Sequence, residues 1–491
     1  MKPNIIFFLT DDQRYDTFGF MGNHIVYTPN LDHLASESAK FSNAFHVAPI
    51  CMPSRATMQL GKYIAQHNCG FDLPTDYTIT SEEYEESYPV LLHENGYFTG
   101  FIGKFGFPIA NVKAHNGGRE IHPNSPPDNP YYKVERGFSE EELAPQFFDI
   151  WNGSSSNLRY FPDKNNKFNG YDNKWNDDHL SMFNAHQAGA FLEKAKESSK
   201  PFMLSLSFKA PHRPHTASPK WVEFYKDTHI ERMANDKPEY FAVLPEVVRT
   251  HSRNANEYWG GHRANFKPWK DEEVFQHDFK NYYGLISGVD EAVGNIRHKL
   301  DELGLAENTI IIYTSDNGYF CGSKQLGGKE LLYEESIKAP LIIYDPRNKT
   351  DQWVDGLVST VDICPTILDY AGISKTADMF GDSVIPLING SKDEIHDAVY
   401  GENDFNDNYI DIDNHPDPDN YQSIHSKYVR TKDFKYVRYH LCHPIVEEMW
   451  DIKNDPLETN NLVGNPKYED KLNEMRKMLN TFIQETTVPV N

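Results

Sequence analysis

The chain lacks any apolar run long enough to cross a membrane. None of its 491 residues belongs to a stretch approaching the roughly 18 to 20 apolar residues that a membrane-spanning helix requires. We therefore expect no membrane span. The segment from Met1 to Thr10 is too short, and too soon followed by acidic residues, to act as a signal peptide. Localisation stays open, and a periplasmic or secreted location would require a leader beyond this sequence.

Basic residues are scarce relative to acidic ones. The chain has 48 Lys and Arg against 72 Asp and Glu, and its formal net charge is −24. Binding to nucleic acid or to an anionic membrane surface needs a basic face, so we expect neither partner. An anionic substrate would have to be attracted by a local cationic pocket.

Cysteine is also sparse. The five cysteines are odd in number and lie far apart in the sequence. This excludes a dense disulfide scaffold and a paired Cys-x-x-Cys metal site. At least one thiol must stay unpaired or serve another purpose.

The apolar pattern predicts an α/β fold. Short β-branched and aromatic runs predict buried strands at 4–9, 97–102, 202–208, 309–314 and 340–344. Helical patterns lie among them at 87–95 and 282–303. Strands that alternate with helices indicate a mostly parallel sheet flanked by helices. Residues 111–176 are rich in Pro, Gly and Asn without periodicity, and we expect long surface loops there.

The pattern changes after Gly372. Short strands are predicted at 398–401, 426–431, 434–439 and 448–451, followed by a helix at 468–485. This indicates a smaller C-terminal antiparallel sheet with a terminal helix. We therefore expect a catalytic domain over 1–372 and a C-terminal subdomain over 373–491.

Oxygen-bearing side chains follow two of the predicted strands. Asp11 and Asp12 follow the first strand, and Asp316 and Asn317 follow the strand at 309–314. Ligands bind beyond the carboxyl ends of parallel strands, and calcium or magnesium prefers such oxygen ligands. A single Asp after a strand is more often a helix cap or turn residue. Two pairs together favour a metal site.

Cationic groups are predicted at the same edge. Lys104 and His212 follow two further strands, and Lys329 ends a Gly-Gly-Lys loop. One such residue alone is usually a solvated surface group. Several beside a metal would form a pocket for a tetrahedral oxyanion, which needs donors on several sides.

One motif specifies the chemistry. Cys51-Met52-Pro53-Ser54-Arg55, with a Gly six residues later, resembles the signature of the type I, formylglycine-dependent sulfatases of the alkaline-phosphatase-like superfamily. Other signatures of that family appear in the family's order, at 11–13, 103–104, 211–212, 315–318, 329–336 and 450–462. The resemblance spans nearly the whole chain.

The resemblance implies an alkaline-phosphatase-like fold and hydrolysis of a sulfate ester. A separate formylglycine-generating enzyme would oxidise Cys51 to formylglycine, and Arg55 would hold the hydrated aldehyde. The implied ligands of one calcium ion are Asp11, Asp12, Asp316, Asn317 and the modified Cys51. The implied contacts of the sulfate oxygens are Lys104, His212 and Lys329. The alternative for Cys51 is an ordinary buried thiol.

Two positions depart from the family pattern. Many members have Lys-x-His where this chain has Lys104, Phe105 and Gly106, so the base for the last step is unassigned. His67 and His115 are candidates on sequence proximity alone. Lys324 stands where relatives often have a His, and we expect it to affect the substrate side of the pocket.

The substrate prediction is a sulfated carbohydrate, either a polysaccharide or its oligosaccharides. Aromatic and His-rich segments could stack on sugar rings or could pack the loops. They include Tyr131, Tyr132, Trp151, Tyr171, Trp175, His215, His251, Trp259 and His262, of which His215 is a candidate substrate contact. Two other functions stay open: a phosphomonoester or phosphonate hydrolase, and a non-catalytic binder of sulfated glycans with unconverted Cys51.

Overall fold

The computed structural model describes residues 2–67, 69–70, 79–110, 114–115, 118–119, 144–154, 158–260, 267–404 and 423–487. Its strands are β1 Asn4–Asp11, β2 Ala39–Phe41, β3 Ala44–Phe45, β4 Ile79–Thr80, β5 Phe98–Lys104, β6 Ile109–Ala110, β7 Ala114–His115, β8 Gly118–Arg119, β9 Ile150–Ser154, β10 Lys167–Phe168, β11 Tyr171–Asp172, β12 Phe202–Pro211, β13 Thr309–Ser315, β14 Leu341–Tyr344, β15 Gln352–Val354, β16 Val358–Ser359, β17 Val399–Asn403, β18 Ser426–Arg430, β19 Phe434–Tyr439 and β20 Val446–Asp451.

The helices of the described residues are mostly short. They span Pro29–Ala35, Cys51–Leu60, Ile64–His67, Ser81–Tyr84, Tyr88–Glu94, Leu180–Ser198, Pro219–Tyr225, Pro238–Ala242, Glu246–His251, Arg253–Trp259, Glu272–Leu303, Glu334–Ile337, Ile363–Ala371, Ile385–Ile388 and Glu469–Thr487. Among them, none is both long and apolar enough to cross a membrane.

The central sheet has eight strands in the order β15-β2-β14-β13-β1-β12-β5-β9. The five neighbours from β13 to β9 are parallel, and β14 pairs antiparallel on both of its sides. Strand β1 is buried along its whole length, as expected for a central parallel strand covered on both faces. Because parallel strands end at one edge, the residues after β1, β5, β12 and β13 meet there.

Apolar side chains form a core on each face of the sheet. One core packs Phe8, Leu206 and neighbouring residues under the long helix Glu272–Leu303 and the helix Leu180–Ser198. The other packs Phe7 and Ile312 under the helices that contain Met58 and Ile367. The alternation along β1 thus divides its side chains between two helical layers, which fixes the strand's register.

The C-terminal residues form a separate antiparallel sheet in the order β17-β18-β19-β20. The terminal helix covers one face, where Leu472, Met475 and Leu479 pack on Val429 and Met449. The predicted fold class is therefore confirmed: a mostly parallel sheet flanked by helices, and a smaller antiparallel sheet with a closing helix.

The long helix and strand β9 show the clearest differences from the prediction, whereas most other predicted elements shift by one to three residues at an end. The helix predicted at 282–303 begins ten residues earlier, because Asp271 caps it and Phe275 and Phe279 extend its buried face. Strand β9, at the sheet edge, lies in the stretch predicted as loops. Its second half, Asn152-Gly153-Ser154, carries little β propensity, and parallel pairing with β5 continues the strand through these residues.

Candidate functional site

The two predicted oxygen-bearing pairs meet at the carboxyl edge of the sheet. Asp11 is the last residue of β1, and Asp316 directly follows the neighbouring strand β13. The backbone N–H of Asp316 donates to the carbonyl of Thr10 at 2.9 Å, which holds the ends of the two strands side by side. Asp12 has a φ of 63°, a left-handed conformation that is uncommon outside glycine. Its backbone N–H donates to Asp316 Oδ1 at 3.2 Å, and Asn317 Nδ2 donates to Asp12 Oδ1 at 2.8 Å.

Cys51 enters this cluster from the start of a helix. It is the first residue of the helix Cys51–Leu60, and Gly61, with a φ of 67°, ends that helix. The Cys51 thiol lies 3.1 Å from Asp11 Oδ1, and Lys329 Nζ lies 2.7 Å from Cys51 Sγ. The side chain of residue 51 therefore contacts an anion and a cation of the site at once.

Arg55 lies one helical turn below Cys51, beneath the cluster. It is 1% exposed. Its Nε donates to Asp316 Oδ2 at 2.8 Å, and its second amino group lies 2.7 Å from the same oxygen and 3.5 Å from Asp11 Oδ2. The remaining guanidinium nitrogen donates to the Lys104 carbonyl at 2.7 Å and to the Ser207 hydroxyl. The fork geometry of the guanidinium suits such multiple contacts.

Two lysines and a histidine surround the carboxylates. Lys104, at the end of β5, donates from Nζ to Asp11 Oδ2 at 2.5 Å. Lys329 Nζ donates to Asp12 Oδ1. His212 Nδ1 donates to the Arg213 carbonyl at 2.6 Å, which orients the ring so that Nε2 lies 3.7 Å from Asp12 Oδ2. His212 is the most open of the three, with 24% of its side chain exposed.

Burial and close charges shift the pKa values of these groups. Burial alone would raise the pKa of Asp11, but Lys104, His212 and other nearby cations lower it well below its usual value. Burial and the Asp11 charge raise the pKa of Asp316 to about 6 despite Arg55. Burial, together with the nearby aspartates, raises the pKa of the Cys51 thiol. The site therefore holds charges of both signs in direct contact.

The carboxylate and amide oxygens of the site fit a hard cation. Ligand atoms of Asp11, Asp12, Cys51 and His212 all lie within 4.8 Å of one another. Asn317 Oδ1 is buried and has no hydrogen-bond partner among the described residues. A buried acceptor without a partner is costly, and a cation would satisfy it. Carboxylate and amide oxygens are the ligands that calcium prefers.

The structure brings together every predicted metal and sulfate-contact residue except His215. That histidine is 6% exposed and lies among the rings of Trp269, Tyr282 and Tyr319. Neither of its ring nitrogens has a hydrogen-bond partner among the described residues. Its proposed substrate contact stays a prediction.

Two other residues singled out in the sequence make structural contacts. His67 accepts the Cys69 N–H and bonds Thr57 at 3.0 Å, so its two ring nitrogens are occupied by structural contacts. Lys324 is 1% exposed and bonds Glu335 at 3.1 Å and the Leu457 carbonyl, and its effect on the substrate side of the pocket stays a prediction. The other candidate base, His115, has its side chain outside the described parts of the chain.

The described aromatic candidates mainly pack the loops. Trp151 stacks on Phe101, Trp175 stacks on His186, and the Tyr171 hydroxyl donates to the Gly153 carbonyl. Trp259 is 38% exposed. Tyr131, Tyr132, His262 and the His251 side chain lie outside the described residues.

Two site residues escaped the sequence analysis. Ser207, in β12, accepts a hydrogen bond from Arg55, and the sequence feature that could have indicated it is its polar side chain in a buried strand that also contains Ser205 and Lys209. Arg213 follows His212, lies with its guanidinium 4.1 Å from the Trp269 ring centre and pairs with Glu257 at 3.4 Å. The sequence feature that could have indicated Arg213 is its position directly after His212, a predicted anion-binding residue.

Comparisons with known proteins agree with this arrangement. The family model described as Sulfatase matches residues 3–373, and that of the N-sulphoglucosamine sulphohydrolase C-terminal region matches residues 322–485. An N-acetylglucosamine-6-O-sulfatase of Bacteroides thetaiotaomicron is 28% identical, over 97% of this chain and 86% of the relative.

Solved structures share the fold over nearly the whole chain. One, of a protein in complex with its substrate D-glucosamine-2-N,6-O-disulfate, has a TM-score of 0.71 and 23% identity, over 99% of this chain and 98% of that one. A phosphonate monoester hydrolase of Agrobacterium radiobacter has a TM-score of 0.69 and 23% identity, over 98% and 96%. The fold is thus shared by hydrolases of different esters. Because the sulfatase model covers most of the sequence, this chain belongs to the sulfatase family and is a sulfuric ester hydrolase.

Proposed function

We propose that the protein hydrolyses sulfate esters of a carbohydrate, using a formylglycine made from Cys51 beside one calcium ion. The observation that carries this proposal is the position of the Cys51 side chain. It lies 3.1 Å from a carboxylate oxygen of Asp11 and 2.7 Å from the ammonium of Lys329. A nucleophile at residue 51 would therefore sit between the metal ligands and a group that binds the substrate's anionic end.

The hydrated aldehyde offers two hydroxyls on one carbon. In the first step, one hydroxyl would release its proton as its oxygen bonds to sulfur, the bond from sulfur to the sugar oxygen would break, and the sugar would take up a proton and leave as an alcohol. In the second step, the other hydroxyl would lose its proton, the carbonyl would reform, and the carbon–oxygen bond to sulfate would break. Addition of water to the aldehyde would restore the hydrate.

The surrounding side chains have distinct parts in this scheme. Lys104, Lys329 and His212 would bind the three non-bridging sulfate oxygens and offset the charge that spreads onto them. Arg55, fixed by Asp316, would orient residue 51. Calcium, held by Asp11, Asp12, Asp316, Asn317 and residue 51, would supply positive charge that polarises the attacking hydroxyl.

The substrate class is supported by the relatives. The 28% identical relative that aligns with 97% of this chain is named for a sulfated amino sugar, N-acetylglucosamine 6-sulfate. The second family match covers the C-terminal region of N-sulphoglucosamine sulphohydrolase. We therefore propose a sulfated sugar, as part of a polysaccharide or its oligosaccharides, as the substrate.

Chemical labelling of the aldehyde tests whether Cys51 is converted to formylglycine. Protein from a host with a formylglycine-generating enzyme should react with a hydrazide probe, and Cys51→Ala should abolish labelling while Cys442→Ser keeps it. In Cys51→Ser with an unoxidised serine, the single hydroxyl can attack sulfur but cannot expel sulfate. Intact-protein mass spectrometry should show a stalled serine sulfate or an inactive protein. Sustained turnover near the wild-type rate would refute formylglycine as the nucleophile.

The substrate is tested with a panel of sulfated oligosaccharides and their matching phosphate and phosphonate esters. We expect the sulfated sugars to give the highest kcat/KM. Higher kcat/KM values for the phosphate or phosphonate esters would indicate that the protein is instead a phosphomonoester or phosphonate hydrolase. An unlabelled Cys51 with tight binding of sulfated sugar and no turnover would indicate a binding protein.

A further inference from the structure

A second group of potential metal ligands lies outside the active site, at one end of the C-terminal sheet. Asp404 directly follows β17, His425 directly precedes β18, and His440 directly follows β19. In the register of this sheet, Asn403 pairs with Ser426, and Ser426 pairs with Tyr439. The three side chains are thus carried by the same end of three adjacent strands, although they are far apart in the sequence.

The ligand atoms of these residues are close together. One carboxylate oxygen and one nitrogen from each imidazole all lie within 4.8 Å of one another. His440 Nε2 is 3.5 Å from Asp404 Oδ1, and the two imidazole centroids are 6.3 Å apart. Ligands at about 2.0 to 2.1 Å from a tetrahedral zinc lie about 3.3 Å from one another, so small side-chain rotations would complete such a site.

Each residue also has a buried polar atom without a hydrogen-bond partner among the described residues. These atoms are Asp404 Oδ1, His425 Nε2 and His440 Nδ1. Buried polar atoms are nearly always satisfied, so three such atoms in one cluster point to a missing partner. A single cation that accepts lone pairs from all three residues would satisfy the cluster.

The charges nearby are compatible with such an ion. Among the described residues, Lys427 lies 4.0 Å from the other Asp404 oxygen, and its charge is offset by pairing with Glu402. Imidazole nitrogens and carboxylate oxygens are both ordinary ligands of zinc.

We propose that Asp404, His425 and His440 form a second metal site that binds a divalent transition ion of the zinc type. Two imidazole nitrogens and one carboxylate oxygen suit zinc and its neighbours, whereas the oxygen-rich cluster at Cys51 suits calcium. Three protein ligands leave a fourth position for water. The site would fasten the ends of three strands of the C-terminal sheet, and it does not depend on the proposed formylglycine chemistry.

Zinc binding to the untagged full-length protein tests the proposal. The protein is stripped with a chelator, saturated with excess calcium so that the active-site ligands are occupied, and titrated with zinc by equilibrium dialysis. We expect one zinc per chain and a rise in Tm with zinc. Cobalt in place of zinc should give the visible absorption of a nitrogen-ligated ion.

Two variants and one control test whether the zinc ion binds at this cluster. Loss of even an outer hydrogen-bond partner of a ligand typically weakens metal binding 10- to 100-fold, so we expect His440→Gln and Asp404→Asn to weaken it by about 100-fold or more. His298→Gln, an exposed histidine on the long helix, should bind zinc as the wild type does. Asp404→Asn keeps the shape of the side chain, so it tests the site even if His440→Gln fails to fold.

Three results would overturn the proposal. One is the absence of zinc binding to the calcium-saturated wild type. Another is equal zinc affinity in the wild type and both variants, which would place the ion elsewhere. The third is that the variants bind zinc as the wild type does but raise the KM for a sulfated oligosaccharide, which would make the cluster a sugar contact.

Discussion

Gly106 stands where many sulfatases have the histidine of Lys-x-His, so the family pattern alone predicts that Gly106→His would supply a missing catalytic group. The structure predicts the opposite result. A Cβ at Gly106 would lie 2.7 Å from Arg55 Cδ and 3.2 Å from Arg55 Nε. Arg55 cannot swing aside freely, because it bonds Asp316, the Ser207 hydroxyl and the Lys104 carbonyl.

The cost of this substitution has two parts. Gly106 has a φ of 87°, and a non-glycine residue in the left-handed region costs about 1–2 kcal/mol. Overpacking a buried side chain costs about 1–3 kcal/mol more. We therefore expect Gly106→His and Gly106→Ala to lower the free energy of unfolding by about 2–5 kcal/mol in total. Displacing Arg55 should also lower kcat by about 100-fold or more.

A matched glycine separates the two costs. Gly96 has a φ of 85°, and a Cβ there would meet no atom within 4 Å. In urea unfolding, Gly96→Ala should show the conformational cost alone, and the excess in Gly106→Ala measures the contact with Arg55. Activity is followed with a chromogenic aryl sulfate. Gly106→His with wild-type stability, or with a raised kcat, would refute the reasoning.

Three further predictions concern the metal and the buried charges. Exhaustive chelation should abolish hydrolysis while far-UV circular dichroism stays nearly unchanged, because the proposed ligands lie at one edge of a packed core; full activity would contradict the metal assignment. Lys435→Met, which leaves buried Glu458 without its closest cation, should cost about 3–5 kcal/mol in urea unfolding, whereas exposed Lys432→Met should cost less than about 0.5 kcal/mol. The carboxylate of Asp362 raises the pKa of His396 although burial opposes the shift, so their pairing contributes fully below the unfolded pKa of about 6.5 and is lost as pH rises through the folded value. His396→Gln should therefore reduce stability more at about pH 5 than at about pH 9, and equal losses would exclude this pairing.

The sequence predicted the active-site edge well for a physical reason. Parallel strands end at one edge, so Asp11, Lys104, His212 and Asp316 could be placed together from strand positions alone. The role of Arg55 was implied only by the family resemblance, and the structure adds that Arg55 lies one turn after Cys51 on the same helix and bonds Asp316.

Contacts between distant segments could not be predicted in this way. The rings of Trp269, Tyr282 and Tyr319 that surround His215 come from segments distant in sequence, so its surroundings could not be inferred from its neighbours. Asp404, His425 and His440 meet only through the register of the C-terminal sheet, which no local pattern specifies. Lys324 has partners more than 130 residues away in sequence, so its burial could not be inferred from its neighbours.

The C-terminal sheet also supports the active site itself. Lys329 is followed within a few residues by the helix Glu334–Ile337, whose first residue is fixed from the C-terminal side. The Glu334 N–H donates to Glu458 Oε2 at 2.9 Å, and Arg430 Nε donates to Glu334 Oε1 at 3.2 Å. Lys435, in β19, pairs with Glu458 and lies 3.5 Å from Glu334 Oε1. Since removing one partner of a buried ion pair leaves an uncompensated charge, these contacts resist separation of the sheet from the Lys329 loop. The position of Lys329 beside Asp12 therefore depends on residues of the C-terminal sheet that do not contact the reaction centre.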